Sequence, residues 1–223
     1  MPVTGSESPS AGFDFSGAAG ALDQLDSYSF HVKITSSNTQ PGQAIVQEGT
    51  TEMSGIVVNR PDAASTLHLK TTDKDGNVTD ETEIVVLAAT AYLRSGGASE
   101  SWLEIPAAQA APFTQLMDSF RPEQMFSLYF IPISTDNTTV GDESRNGVET
   151  THYRGGEDVG AILGSIAGVQ GSWASDVWIA KDGGYLVASE AGVQGSDANG
   201  GGTFSIVVNI TDVDSAGPSV API

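Results

Sequence analysis

The sequence has no cysteine among its 223 residues. That excludes a disulfide framework, thiolate catalysis and thiolate-held metals. It leaves the compartment open, since exported proteins need not carry bridges. Positive charge is scarce: nine Lys and Arg stand against 28 Asp and Glu, a formal net charge of -19. Nucleic-acid recognition needs a basic footprint and is excluded as a function class. Docking by charge on an anionic leaflet is excluded for the same reason. An acidic surface favours solubility and suits an exported protein, and a saline habitat would be another cause. No stretch approaches the roughly 18 apolar residues of a membrane span. No leader pattern of charged, apolar and small-residue regions opens the chain.

Both ends are also poor in patterned hydrophobic residues. Residues 1–11 and 215–223 are polar with Gly, Pro and Ser, and read as a flexible linker and a flexible tail. Between them, residues 12–214 have the length of one domain that can bury its core without staples. Soft ends around a patterned middle fit a trimmed exported domain better than a cytosolic protein with frayed ends.

What the middle does have is period-two alternation, the mark of a half-buried strand. Tyr28, Phe30, Val32 and Ile34 alternate with Ser29, His31, Lys33 and Thr35. Leu67 and Leu69 alternate with Thr66, His68 and Lys70. Phe204, Ile206, Val208 and Ile210 alternate with Ser205, Val207, Asn209 and Thr211. Further strands are expected over 52–59, 82–87, 91–94, 101–105, 147–154, 172–180 and 185–190. Asp73-Lys74-Asp75-Gly76-Asn77 and Lys181-Asp182-Gly183-Gly184 supply residues that tolerate positive φ, as tight hairpins require. About ten strands at this spacing predict a large antiparallel sheet, barrel or half-barrel with one wetter face.

Three segments read as helical. Residues 13–25 are Ala-rich. Residues 107–130 carry Phe113, Leu116, Met117, Phe120, Met125, Phe126 and Phe130 near helical spacing, and Pro122 predicts two short helices meeting near Arg121. Residues 157–167 carry Val159, Ile162, Leu163 and Ile166, with acids in the first turn. Helix, strands, helices, strands is an α+β order, with the helices gathered on one face of the sheet.

No motif for chemistry survives inspection. His31 and His68 fall on the polar parity of their strands, and no histidine stands at i, i+4 from another, so no metal site is expected. Asp73–Asn77 fails as an EF-hand, because counting from Gly76 puts Thr82 where the final Glu belongs. No Gly-x-Ser-x-Gly elbow occurs. Gly200-Gly201-Gly202 reads as a loop before a strand, whereas a phosphate cradle needs a helix to follow. A hydrolase would have to assemble His152 with a distant Asp and Ser. No cofactor is expected.

The apolar helices do need a surface to face. A curved sheet whose apolar concave side lies under small helices leaves room for a greasy ligand. The alternative is that the helices plug the sheet as ordinary core. Candidate wall residues on the inward strand parity are Phe30, Val32, Ile34, Leu67, Leu69, Phe204 and Ile206. Those on the helical side are Leu116, Phe120, Phe126, Ile162 and Leu163.

Four stretches, in order, resemble the LppX/LprG lipoprotein family and, more distantly, the LolA/LolB lipoprotein carriers. They are Leu25 to Phe30 with Gly49 to Asn59, Arg60-Pro61-Asp62 and Leu67-His68-Leu69; Asn146 to Gly155; Asp176-Val177-Trp178-Ile179 with Lys181-Asp182-Gly183; and Phe204 to Asp212. The resemblance spans about residues 20 to 215. It implies one strongly curved antiparallel half-barrel with a few helices covering its concave face. It further implies a non-enzymatic, exported bacterial lipoprotein, at the outer face of the cytoplasmic membrane or in the periplasm. Such a protein binds a lipid or lipid-modified ligand and carries or presents it in the cell envelope. The anchoring cysteine the resemblance implies is absent here, so the N-terminal lipid anchor is expected to lie ahead of this sequence. A monomer is expected. A different class, an extracytoplasmic structural or protein-interaction module with a filled core, stays open.

Overall fold

The computed structural model describes residues 13, 15–38, 48–88, 90–124, 137–156, 171–197, 200–217 and 221–222. The strands are β1 (Ser27–Asn38), β2 (Gly49–Val58), β3 (Ala64–Asp73), β4 (Val78–Leu87), β5 (Thr90–Ser95), β6 (Leu103–Ile105), β7 (Asn137–Arg145), β8 (Val148–Gly155), β9 (Ser172–Ala180), β10 (Leu186–Asp197) and β11 (Gly200–Thr211). They form one open antiparallel sheet in the order β6-β5-β4-β3-β2-β1-β11-β10-β9-β8-β7. Two meanders run outward from the central β1–β11 pair, one toward each edge.

The two cleanest alternations in the sequence therefore become neighbours at the centre. Phe30 lies opposite Ile210, Val32 opposite Val208 and Ile34 opposite Ile206. A one-residue slip would turn every one of these side chains to water, so the pattern fixes the register. The edges are blunt. β6 has three residues, and β7 is largely exposed and polar with a register shift between Thr139 and Gly141. Short, irregular, charged edges discourage pairing with other chains.

The core joins this inward parity to the helices. Tyr28, Phe30, Val32, Met53, Val57, Leu67, Ile84, Val86, Ile206, Val208 and Ile210 are buried together with Phe15, Ala18, Leu22, Ala110 and Met117. Leu69, Ile34 and Phe204 pack on the cluster partly buried. Among the described residues the helices are α1 (Ser16–Gly20), continued by a 3-10 turn (Ala21–Gln24), and α2 (Ala107–Ser119). Asn137 ties the N-terminal segment to the β7 edge, accepting from the Phe13 amide and donating to its carbonyl, each at 3.0 Å.

Several expectations needed correction. The first helix is shorter than 13–25, as Gly17 and Gly20 dilute its propensity. Strand β7 was not foreseen, although Asn146 (φ 52°) and Gly147 (φ 79°) form the two-residue hairpin joining it to β8. Gly200-Gly201-Gly202 is strand, not loop: it pairs with Asp197, Ser196 and Gly195, and Gly202 also faces Asn38. Pairing at the sheet centre overrides glycine's weak strand preference. α2 does stop at Ser119, with a turn at Phe120 and Arg121 and a helical turn at 122–124. The rest of that segment, the 157–167 helix and the 1–11 linker lie outside the described residues.

Candidate functional site

Between the inward face of β1–β4 and helix α2 lies a cavity of about 190 Å³. Phe30, Val57, Leu67 and Val86 line it from the sheet, and Met117 and Phe120 from α2 and its end. Asn59, Ala63, Ala64, Ala88, Thr114, Asp118 and Arg121 complete its rim. The Phe30 ring reaches across β2 because Gly55 has no side chain. A Cβ there would stand 2.8 Å from the ring and 2.0 Å from the Thr66 carbonyl oxygen. The β2–β3 ladder skips Gly55 and Ile56 at this point, and the Ile56 amide donates to Thr66 Oγ1 instead at 2.9 Å.

Helix phase decides which α2 residues reach the cavity. Ala110 and Met117, two turns apart, are buried, and Phe113 is half-buried. Leu116 lies about 100° round the helix from Met117. It is 42% exposed and does not face the cavity, contrary to the expectation for it. Of the other candidates, Phe30, Leu67 and Phe120 line the cavity. Val32 and Ile206 are buried in the core, and Ile34, Leu69 and Phe204 pack on it without lining the cavity. Phe126, Ile162 and Leu163 lie outside the described residues. Sequence reading missed Val57, Val86 and Met117 as wall. The first two sit in the runs Ile56-Val57-Val58 and Val85-Val86-Leu87, where continuous apolar residues hide the alternation.

A buried polar cluster holds the end of α2 at one end of the cavity. Tyr28 Oη donates to Glu123 Oε1 at 2.6 Å. Arg121 donates to Asn59 Oδ1 at 2.8 Å and pairs with Asp23 at 3.5 Å and Glu123 at 3.8 Å. Asn59 Nδ2 in turn donates to the carbonyls of Leu22 and Leu25. The cluster thus joins β1, the 3-10 turn, the β2 end and the end of α2. Burial raises the Glu123 carboxyl above its usual range against the pull of Tyr28 and Arg121. Burial, then Glu123, pushes the Tyr28 hydroxyl above its usual range, which keeps it a donor. Burial also opposes the charge of Arg121, but Glu123, Tyr28 and Asp23 outweigh it and raise its pKa.

His152, the one candidate for dispersed catalysis, lies on the opposite face of the sheet. Its Nδ1 meets Glu143 at 3.1 Å and its Nε2 meets Asp176 at 2.7 Å. Both ring nitrogens therefore face carboxylates rather than a serine. Among the described residues no group of three or more His, Asp and Glu is placed to hold a metal ion. Asp73–Asn77 is a hairpin turn: Asp73 accepts from the Asp75 and Asn77 amides and from Asn77 Nδ2, while Gly76 takes φ 85°. Among the described residues no helix is long and apolar enough to cross a membrane.

The chain matches no protein-family model and no curated protein sequence. Among solved structures it is similar to the crystal structure of LprF from Mycobacterium bovis, at 15% identity and TM-score 0.47, covering 95% of this chain and 99% of that one. It is likewise similar to the Mycobacterium tuberculosis lipoprotein LppX, at 16% identity and TM-score 0.45, covering 92% and 95%. A more distant likeness is to the Pseudomonas aeruginosa MucA/MucB complex, at 15% identity and TM-score 0.33, covering 92% of this chain and 59% of that one.

Proposed function

We propose that the protein is a non-enzymatic, exported lipoprotein whose sheet curves into a half-barrel under its helices, and that it binds an apolar chain between them. The observation that carries this is the space of about 190 Å³ walled by Phe30, Val57, Leu67, Val86, Met117 and Phe120. An empty apolar cavity of roughly 150 Å³ takes up a molecule the size of benzene. Pockets for drug-sized ligands run to roughly 300–1,000 Å³. The described space therefore suits a stretch of one acyl chain rather than a whole lipid. Binding would come from burial, at roughly 25 cal/mol per Å² of apolar surface removed from water. The lipid or lipid-modified ligand would be carried or presented in the cell envelope by a monomer anchored through its N-terminus.

Gentle purification, solvent extraction and mass spectrometry test the reading, with uptake of a fluorescent fatty acid as a second arm. Co-purifying lipid, or uptake that falls in Leu67→Trp, supports it. A protein that carries no lipid and takes up no probe overturns it. The small size of the cavity favours the second reading, a filled module that binds a partner protein, and that same negative result would select it.

A further inference from the structure

On the face of the sheet opposite the cavity lies an open groove of about 430 Å³. Ser29, Ser54 and Thr66 give it hydroxyls set among apolar lining from Phe30, Leu67 and Ile84. Its walls are Ile56, Val85 and Trp102 on the apolar side, and His68 and Glu83 on the polar side. The wall is braced from behind. Arg94 lies over the Trp102 ring at 4.7 Å and is not itself part of the groove. Its Nε donates to Glu83 Oε2 at 2.6 Å, and His68 is held by Glu81 at 2.9 Å.

The same device recurs on this face in the other half of the sheet. Arg145 lies over the Trp178 ring at 4.4 Å and pairs with Glu190. There the second ring face is covered: His152 stacks on it at 4.5 Å and 18°. At Trp102 no ring of the described residues stacks, and the residue lines the groove. One arginine–tryptophan–carboxylate unit is closed by the chain's own imidazole, and its counterpart is left open beside these hydroxyls.

We infer that this groove is a saccharide-binding site in which one sugar ring stacks on Trp102. A sugar presents an apolar C–H face to an aromatic ring and hydroxyls at its rim. Those hydroxyls can pair with Ser29, Ser54 and His68 and can donate to the Glu83 carboxylate, while Thr66 Oγ1 already accepts from the Ile56 amide and can still donate. A flat aromatic ligand would cover the Ser29 and Ser54 hydroxyls without pairing them, at the cost of unsatisfied groups. A net charge of -19 and the nearby carboxylates select a neutral sugar over an anionic one. The ring can belong to a free oligosaccharide or to the end of a polymer. The site opens on the outer face; Phe30 and Leu67 border both it and the cavity across the sheet, and the variants that test it touch neither.

A glycan array probed with the purified chain tests it, followed by titration of neutral disaccharides from the array with tryptophan fluorescence as readout. Co-sedimentation with insoluble neutral polysaccharide distinguishes polymer from free sugar. The expected result is binding of neutral glycans that falls at least tenfold in Trp102→Ala. Ser54→Leu fills part of the groove while leaving the indole in place, and is expected to give the same loss with a normal folding transition. Trp178→Phe should leave binding unchanged. No neutral glycan bound in either arm overturns the assignment, as does equal binding by Ser54→Leu or stronger binding of indole than of any sugar. Lipid uptake measured in the same variants is expected to stay at the wild-type level, so failure of this site and failure of the inner one are read separately.

Discussion

Trp102 and Trp178 both sit on the outer side of the sheet, one in each half, each with an arginine on one ring face and a carboxylate behind the arginine. The halves treat the other ring face differently. In the β7–β11 half, His152 stacks on Trp178, and Glu143 and Asp176 take both imidazole nitrogens. In the β1–β6 half Trp102 lines a groove. The inner face shows the same contrast. Tyr153, Phe13 and Phe15 fill their half with rings whose centroids lie 4.7 to 5.4 Å apart. Across the sheet, Phe30, Val57, Leu67 and Val86 stop short of α2 and leave a cavity. Among the described residues the β1–β5 half has room on both faces, so ligands are sought there.

The largest effect expected from breaking this contrast comes from the tryptophans themselves. Trp178 is only 6% exposed and donates its Nε1 hydrogen to Glu143. Its replacement by Ala should cost about 3–5 kcal/mol, as for a core aromatic. Trp102→Ala should cost about 1 kcal/mol, little more than its cation–π contact. Urea denaturation of both variants measures this, and equal losses would mean that the two halves are packed alike.

Next come two identical one-methylene additions. Val177 is fully buried in the filled half, so Val177→Ile should cost about 1–3 kcal/mol by overpacking. Val86 borders the cavity, so Val86→Ile should add about 0.5–1 kcal/mol by filling it. Opposite signs in thermal unfolding sharpen the comparison, and a loss in both would say that the cavity cannot take a methyl group.

Smaller effects follow from titration. Burial holds Glu123 above the ordinary glutamate range, so the folded state keeps its proton where the unfolded state has lost it. Its contribution is fully present below the unfolded pKa and is lost as pH rises through the raised folded pKa. Glu123→Gln should flatten stability across that window, and an unchanged pH slope would show that the cluster near Arg121 is more open than it stands here. Asp73 in the exposed β3–β4 turn behaves oppositely. Asn77 lowers its pKa, so its contribution is present above the ordinary aspartate range and is lost as pH falls through the lowered value. Asp73→Asn should remove a small part of the acid sensitivity, measured by unfolding between about pH 5 and pH 2, a range that spans the ordinary aspartate pKa.

Legibility followed the same division. The central pair was plain in the sequence, since Phe30, Val32 and Ile34 face Ile210, Val208 and Ile206 as their alternation requires. The stop in α2 was plain as well, because Pro122 follows Arg121. β7 was missed because Asn137–Arg145 is an exposed edge with little apolar signal, even though Asn146-Gly147 marks its hairpin. Of the cavity, Phe30, Leu67 and Phe120 were legible from parity and helical spacing. Leu116 was misplaced because its hydrophobicity does not reveal which side of α2 it occupies.

The sequence by itself determined the antiparallel alternation, the turns at Asp73–Asn77 and Lys181–Gly184, the absence of thiols and the acidic charge balance. These depend on local sterics, period and charge, which neighbours along the chain already contain. Only the tertiary structure decided which apolar residues meet and which leave space. It set Phe30 over Gly55, brought His152 onto Trp178 from a neighbouring strand, and left Trp102 without such a cover. Whether a ring face is closed depends on strand neighbours 24 or more residues apart, as His152 and Asp176 are, and no local pattern carries that distance.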